Sequence, residues 1–431
     1  MALRKVRTAG LEVKNTKNLE FDTGKSDFPF QSCPFRASIG SKGHANPEDT
    51  EVRKNKGDDF MKKLIISGIA LSFAAALSAT TALADITIAT VGPITGQLAA
   101  LGEQYKRGAE LAVKDINAAG GVLGEQLVLE IGDDACDPKQ AVATANQMAS
   151  KGVVFVAGHL CSGSSIPASK VYEEEGILQI SPASTNPVFT DEGGWNVGRV
   201  CGRDDAQGKV AGAYMSKTFA GKRVAIIDDK SAYGKGLADE TRKAMNAGGL
   251  TEVLNESFNP GEKDYSALVS KMKDATIDAV YIGGYHTEGA LILKQMREQG
   301  LAAQMLSGDS MNNAEFWTIA GEAATGMIFT FAPEPRAIPE AKAVVEKFKA
   351  EGYDPEGYTL YTYAAIQMYA AAVTATGGKD NKKLAEWLRA GNVVPTVLGN
   401  LALDAKGDVK DAKYVWYKFA NGTYAEDPSI Q

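Results

Sequence analysis

The sequence predicts an α/β protein whose parallel strands form two doubly wound lobes. Three observations carry that expectation. Short runs of β-branched and aliphatic residues alternate with stretches of helical periodicity, the pattern of repeated strand–helix–strand units. About eight such runs fall in the 347 residues after Ala84, which fits two domains of ordinary size better than one large sheet. Two segments, 199–208 with Gly202, Asp204, Asp205 and Gly208, and 331–339 with Pro333 and Pro335, read as crossings between the halves.

In chain order, residues 86–91 read as the first strand. A helix follows, with Tyr105, Ala109, Ala112, Val113 and Ile116 on one face and Gly120-Gly121 as its stop. The next strands are 127–131, 153–157 and 178–181, with a helix over 139–151. Beyond the first crossing come strands 223–228, 279–283, 304–307 and 327–331, with a helix over 288–299. No internal repeat and no low-complexity tract interrupts them.

The N-terminal part reads differently. Met61-Lys62-Lys63, an apolar run from Leu64 to Leu77 and the Ala82-Leu83-Ala84 ending before Asp85 have the order of a secretory signal removed after Ala84. Its apolar run is short for a bilayer span. Residues 1–60 are then either a mis-assigned start or a disordered tail, and a true start at Met61 is the favoured reading. The exported part is expected in the periplasm.

Residues 1–84 carry 13 Lys/Arg and 9 Asp/Glu, so the exported part has 33 basic residues against 44 acidic ones, a net of −11. Such a surface repels phosphate backbones, which argues against nucleic acid as a partner. The exported part keeps Cys136, Cys161 and Cys201 in a compartment where disulfides persist. Neither a dinucleotide-binding nor a phosphate-loop glycine motif occurs. His159 and His286 are the only histidines after Ala84, too few for a His-rich metal site. No cofactor is expected. A Ser162/His159 nucleophile pair is conceivable, but no Gly-x-Ser-x-Gly elbow surrounds it. Asp133-Asp134 and Asp228-Asp229 lack calcium-loop spacing and read as solvated or capping carboxylates.

Ligands of open parallel sheets bind beyond the carboxyl ends of strands. Those ends carry Leu160 and Ser162 after 153–157, Ala183, Ser184 and Thr185 after 178–181, Tyr233 after 223–228, Tyr285 after 279–283 and Asp309 after 304–307. A helix starting near Ser162 or Thr185 aims N–H groups at a small anion such as a carboxylate. Asp309, on another strand set, suits an ammonium. Tyr233 and Tyr285 offer ring faces for an aliphatic stem or a cation. Together these describe an α- or ω-amino acid, although Ser and Thr in such places also serve as plain helix caps.

The motifs Asp133-Asp134-Ala135-Cys136-Asp137-Pro138-Lys139-Gln140-Ala141, Gly158-His159-Leu160-Cys161-Ser162, Glu175-Gly176-Ile177-Leu178, Pro182-Ala183-Ser184-Thr185, Gly261-Glu262-Lys263-Asp264-Tyr265 and Gly283-Gly284-Tyr285-His286 resemble the leucine/isoleucine/valine-binding proteins of bacterial ABC importers. The resemblance runs from Asp85 nearly to the C-terminus and leaves out residues 1–60. It implies a type I periplasmic binding protein: two Rossmann-like lobes with parallel sheets joined by a three-segment hinge. Lobe 1 is then 85–202 plus 333–405, and lobe 2 is 203–332 plus 406–431.

The same resemblance implies a Cys136–Cys161 disulfide beneath the site. It implies that Ser162 and Thr185 hold the ligand carboxylate, and that the Ala183 carbonyl and Thr185 hydroxyl help hold the amine. Leu160, Tyr233 and Tyr285 would line the side-chain pocket. Three positions depart from the family pattern: Asp309 stands for a carboxylate one methylene longer, Leu101 for a tyrosine, and Tyr358 for an aromatic residue that is often phenylalanine. Relatives with Asp and Tyr in these places resemble binders of alanine, proline or 4-aminobutyrate. The expected protein is a non-enzymatic monomer that passes an amino acid to ABC permease subunits in the inner membrane. A sensing partner of a membrane receptor and an exported serine hydrolase are the alternatives.

Overall fold

The structure, a computed structural model, describes residues 85–430, and the expected signal segment and the chain before it lie outside the described residues. Two sheets organise the chain. The first holds five parallel strands in the order β2-β1-β3-β4-β5: β1 Ile86–Gly92, β2 Leu127–Asp133, β3 Phe155–Gly158, β4 Leu178–Ser181 and β5 Val197–Arg199. The second has seven strands in the order β14-β13-β10-β9-β8-β6-β7. Here β6 Val224–Asp228, β7 Leu254–Ser257, β8 Ala279–Gly283, β9 Gln304–Ser307 and β10 Ile328–Phe331 run parallel. Two antiparallel strands, β13 Val415–Ala420 and β14 Thr423–Glu426, extend its β10 edge. A separate hairpin pairs β11 Val394–Thr396 with β12 Gly399–Leu401.

Helices cover both faces of a parallel sheet, so its central strands are buried throughout and read as continuous apolar runs. Every residue of β3, β4, β6 and β8 is buried. Those strands were legible for that reason. By contrast β7, Leu-Asn-Glu-Ser, alternates between half-buried and exposed at a sheet edge, and no apolar run announces it.

Both sheets reverse strand order at one point. In the first, β1 lies between β2 and β3; in the second, β6 lies between β7 and β8. Helices leaving the two strands at such a point diverge to opposite faces and open a crevice at the strands' carboxyl ends. That crevice lies beyond Gly92 and Gly158 in one sheet and beyond Asp228 and Gly283 in the other.

Three segments join the sheets. The chain leaves the first sheet between β5 and β6. It returns after β10, where helix α1 Thr359–Thr376 packs on the helix Ala99–Ala118 and on β3. It crosses again before β13. Residues 402–411 still belong with the first sheet: the Arg199 N–H donates to the Gly407 carbonyl at 2.8 Å, and the Asp408 carboxylate lies 2.7 Å from the guanidinium of Arg199 and 2.7 Å from that of Arg203.

Among the described residues no helix is long and apolar enough to cross a membrane.

Candidate functional site

Strand β3 ends at Gly158, and the next turn delivers His159, Leu160 and Cys161 to the helix Ser162–Glu174. Ser162 is the first residue of that helix, so its N–H has no intrahelical acceptor. The Ser162 hydroxyl accepts from the Asn186 N–H at 3.3 Å. Beneath this turn Cys136 and Cys161 are bonded, with their Cα atoms 5.6 Å apart. His159 is fully buried. Its Nδ1 lies 2.6 Å from Asp134 Oδ2 and its Nε2 lies 2.9 Å from the Tyr172 hydroxyl. Both ring nitrogens are therefore engaged away from Ser162, and no Ser162/His159 nucleophile pair forms.

Strand β4 ends in the loop that carries Ala183, Ser184 and Thr185. Arg199, fully buried, shapes it: Nη1 donates to the Ser184 carbonyl at 2.5 Å, and Nη2 donates to the Asn186 carbonyl at 3.0 Å and to Thr190 Oγ1 at 2.8 Å. These bonds draw the loop's carbonyls toward the sheet. The Ser184 hydroxyl also turns inward, 2.6 Å from Ser165 Oγ and 3.0 Å from the Leu160 carbonyl. Ser184, expected among the ligand contacts, thus braces two loops and does not line the cavity.

From the second sheet, β6 leads to Tyr233 and β8 to Tyr285, with ring centroids 5.1 Å apart. Their approach needs glycine. A Cβ on Gly283 would lie 2.0 Å from the Gly234 carbonyl oxygen, so any side chain there forces the helix carrying Tyr233 off β8. After β9 the 3-10 turn Asp309–Met311 presents Asp309, 4% exposed. Its Oδ1 accepts from the Tyr233 hydroxyl at 2.9 Å, and its Oδ2 accepts from the Tyr358 hydroxyl. Burial pushes the Asp309 carboxyl above its ordinary range, opposed by those two hydroxyls.

Leu101, Leu160, Ser162, Ala183, Tyr233, Tyr285, Asp309 and Tyr358 line one cavity with Ser310. The crevice is narrow. About 10 Å³ remains free, room for about one water molecule. Bonds across its mouth hold the two strand sets together: Thr287 Oγ1 donates to the Gln97 carbonyl at 3.1 Å, and Asn186 Nδ2 donates to the Ala232 carbonyl at 2.6 Å. Thr185 lines an adjoining space with Asp309 and Tyr358, and its hydroxyl is buried without a partner.

Two neighbours escaped the sequence reading. Ser310, whose hydroxyl donates to the Gly284 carbonyl at 2.6 Å, ties the Asp309 turn to the Tyr285 turn. Asp204 was noted only as part of a crossing. It is fully buried, its N–H donates to the Thr185 carbonyl at 2.9 Å, and neither carboxylate oxygen has a hydrogen-bond partner. Burial first, then the charge of nearby Asp309, pushes its carboxyl well above the usual range. Polarity in a glycine-rich crossing gave no hint of that burial.

The acidic pairs are structural. Asp133 accepts from the Thr95 hydroxyl and from the Ala135 N–H, Asp228 from the Lys230 N–H, and Asp229 from the Ser231 N–H. Among the described residues no group of three His, Cys, Asp or Glu is placed to hold a metal ion.

The periplasmic binding protein family model matches residues 85–422. The chain is 48% identical over 371 residues to a Leu/Ile/Val-binding protein homolog 1 of Brucella suis, covering 86% of this chain and 100% of that protein. It is 49% identical over 373 residues to an amino acid binding protein of Pseudomonas aeruginosa, covering 85% and 100%. Among solved structures, a leucine binding protein from Thermotoga maritima superposes with a TM-score of 0.74 at 28% identity, covering 79% of this chain and 97% of that one. A branched-chain amino acid transporter substrate binding protein from Streptococcus pneumoniae in complex with isoleucine gives 0.72 at 27% identity, covering 80% and 100%. Strand order, crevice and sequence agree, and the chain belongs to the periplasmic binding protein family.

Proposed function

We propose that this chain is the exported solute-binding protein of an ABC importer, and that it captures a free amino acid between two closing lobes. One observation carries the reading: the buried Asp309 carboxylate from the second sheet faces the Ser162 and Ala183 turns of the first across one aromatic-walled crevice. A zwitterion matches that polarity. Its ammonium pairs with Asp309, its carboxylate lies at the start of the helix after β3, and its side chain lies against Leu101, Leu160, Tyr233, Tyr285 and Tyr358. Thr185 supplies its unpartnered hydroxyl from the side. Of the relatives named above, one is named a Leu/Ile/Val-binding protein homolog, one a leucine binding protein, and one is a complex with isoleucine, which supports a branched-chain or small aliphatic ligand. The short Asp309 stem and the Tyr358 hydroxyl leave room for 4-aminobutyrate in the same class.

The free space in the crevice is far smaller than an amino acid, so entry requires the lobes to part and reclose about the ligand. Lobe 1 comprises 85–202 with 333–411, and lobe 2 comprises 203–332 with the C-terminal strands. The contacts of Gly407 and Asp408 with Arg199 support a third crossing near 412–414, later than the 405/406 boundary expected from the sequence. The protein works as a periplasmic monomer that delivers its ligand to permease subunits. Like the substrate-binding proteins of its family, it binds its ligand without chemistry.

A thermal-shift screen of the common amino acids plus 4-aminobutyrate tests the proposal. A ligand at 100 times its dissociation constant adds about 2.7 kcal/mol of stability and raises the melting temperature by several degrees. A screen in which no amino acid shifts the transition refutes it.

A further inference from the structure

Behind the ligand crevice, on the side where the chain crosses between sheets, lies a second cavity of about 720 Å³, a volume typical of small-molecule sites. Its walls come from all three crossings, residues 200–202, 331–333 and 409–414, and from the β11–β12 hairpin. Three features limit what it can take. The walls are mixed, with Val200, Phe331, Ile338, Leu398 and Leu401 forming an apolar part of the cavity. Inside, the hydroxyls of Tyr414 and Thr185 are both buried without partners. Lys410 and Lys413 also line it, with the exposed Asp411 between them; both lysines are exposed, and neither is paired with a carboxylate among the described residues. Lys410 Nζ sits 2.5 Å from where a Cβ on the wall residue Gly391 would be, so its ammonium lies at the cavity. On the inner side the Asp309 oxygens accept from the Tyr233 and Tyr358 hydroxyls.

We propose that this hinge cavity is a second binding site, for a small amphipathic anion whose apolar body fills the cavity and whose carboxylate or sulfonate meets Lys410 and Lys413. Because the three crossings form its walls, bending at the crossings reshapes it. Because Asp309 and Tyr358 line both cavities, its occupant touches the pair that closes the amino-acid crevice. Occupation therefore changes amino-acid affinity, and by linkage an amino acid changes the affinity of the hinge site by the same factor.

The fluorescent anion 8-anilinonaphthalene-1-sulfonate tests this directly, and its direct-binding and substitution arms do not depend on which amino acid the crevice prefers. Titrated against the intact protein, the probe is expected to give a saturable rise in fluorescence with one site per chain. Lys410→Glu/Lys413→Glu should weaken it at least tenfold, as should Leu398→Asp at the apolar wall. Unchanged circular dichroism and melting temperature in each variant exclude misfolding. Saturating leucine is expected to shift the probe's affinity severalfold while leaving the signal at saturation in place. No saturable signal, an affinity that both variants leave unaltered, or strict competition by leucine would each overturn the proposal. Strict competition would place the probe in the amino-acid crevice itself.

Discussion

Asp309→Asn isolates the charge on which the proposed ligand chemistry depends. The substitution keeps the size of the side chain and an oxygen able to accept from the Tyr233 hydroxyl, now 2.9 Å from Oδ1. At 4% exposure, water contributes little screening. An ammonium about 4 Å from a carboxylate gains about 4 kcal/mol at an effective dielectric of about 20. To reach that position it displaces at least one phenol hydroxyl, a bond worth about 1 kcal/mol. The net loss in Asn is therefore about 2–4 kcal/mol, or roughly 30- to 1000-fold in dissociation constant. Asp309→Ala should cost up to about 5 kcal/mol, because it also strands both hydroxyls. Isothermal titration calorimetry with the best ligand from the screen, alongside circular dichroism, gives the comparison. A folded Asp309→Asn protein within threefold of the parent affinity would show that the ammonium does not rest on this carboxylate. Burial raises the Asp309 carboxyl, so parent affinity should also fall as acid protonates it, and the Asn variant should lose that dependence.

Other consequences are equally direct. Thr185→Ala should weaken amino-acid binding by about 1–3 kcal/mol with little change in melting temperature, since its hydroxyl has no partner within the protein; a loss of stability without a loss of affinity would make it structural. Replacing Cys136 and Cys161 with serine opens a loop of 25 residues and should lower unfolding free energy in urea by about 3 kcal/mol. Asp229 is pushed up to about 6, chiefly by burial. The folded state thus holds a proton that the unfolded chain releases near pH 4. That contribution is full below about pH 4 and disappears as pH rises through about 6. Asp229→Asn should accordingly be more stable than the parent by up to about 3 kcal/mol at pH 8, with the gap closing toward pH 4. A gap that ignores pH would refute the assignment.

The parts of the fold that were legible are those where one residue pattern has one physical outcome. Ala279–Gly283 is an apolar run that a strand buried on both faces explains, and Leu178–Ser181, Leu-Gln-Ile-Ser, alternates with a strand's period; both match the expected bounds. The strand Val197–Arg199 is three residues long with a glycine at its centre, too short to announce itself, and it runs straight into the expected crossing that starts at Arg199. The strands Val415–Ala420 and Thr423–Glu426 join the sheet only after the chain has returned to it, which no local pattern encodes. At the site, the residues expected on the turns after β3, β6, β8 and β9 come together on one cavity because strand ends converge on a crevice. Ser184 faces the other way because Arg199 holds its carbonyl. Asp204 was missed because its burial depends on packing between segments far apart in sequence.

The Arg199–Asp408 pair ties assembly of the molecule to the order in which its chain becomes available. Asp408 lies 209 residues after Arg199, with the whole parallel part of the second sheet between them. A polypeptide emerging N-terminus first can build its opening five strands yet must leave a guanidinium uncompensated inside them, a cost of several kcal/mol. On that argument the early half, although Arg199 keeps its bonds to the Ser184 and Asn186 carbonyls, would be fully stable only once Asp408 arrives. An exported chain of the kind proposed above would gain from that delay, because no compact, finished half would form ahead of its C-terminus.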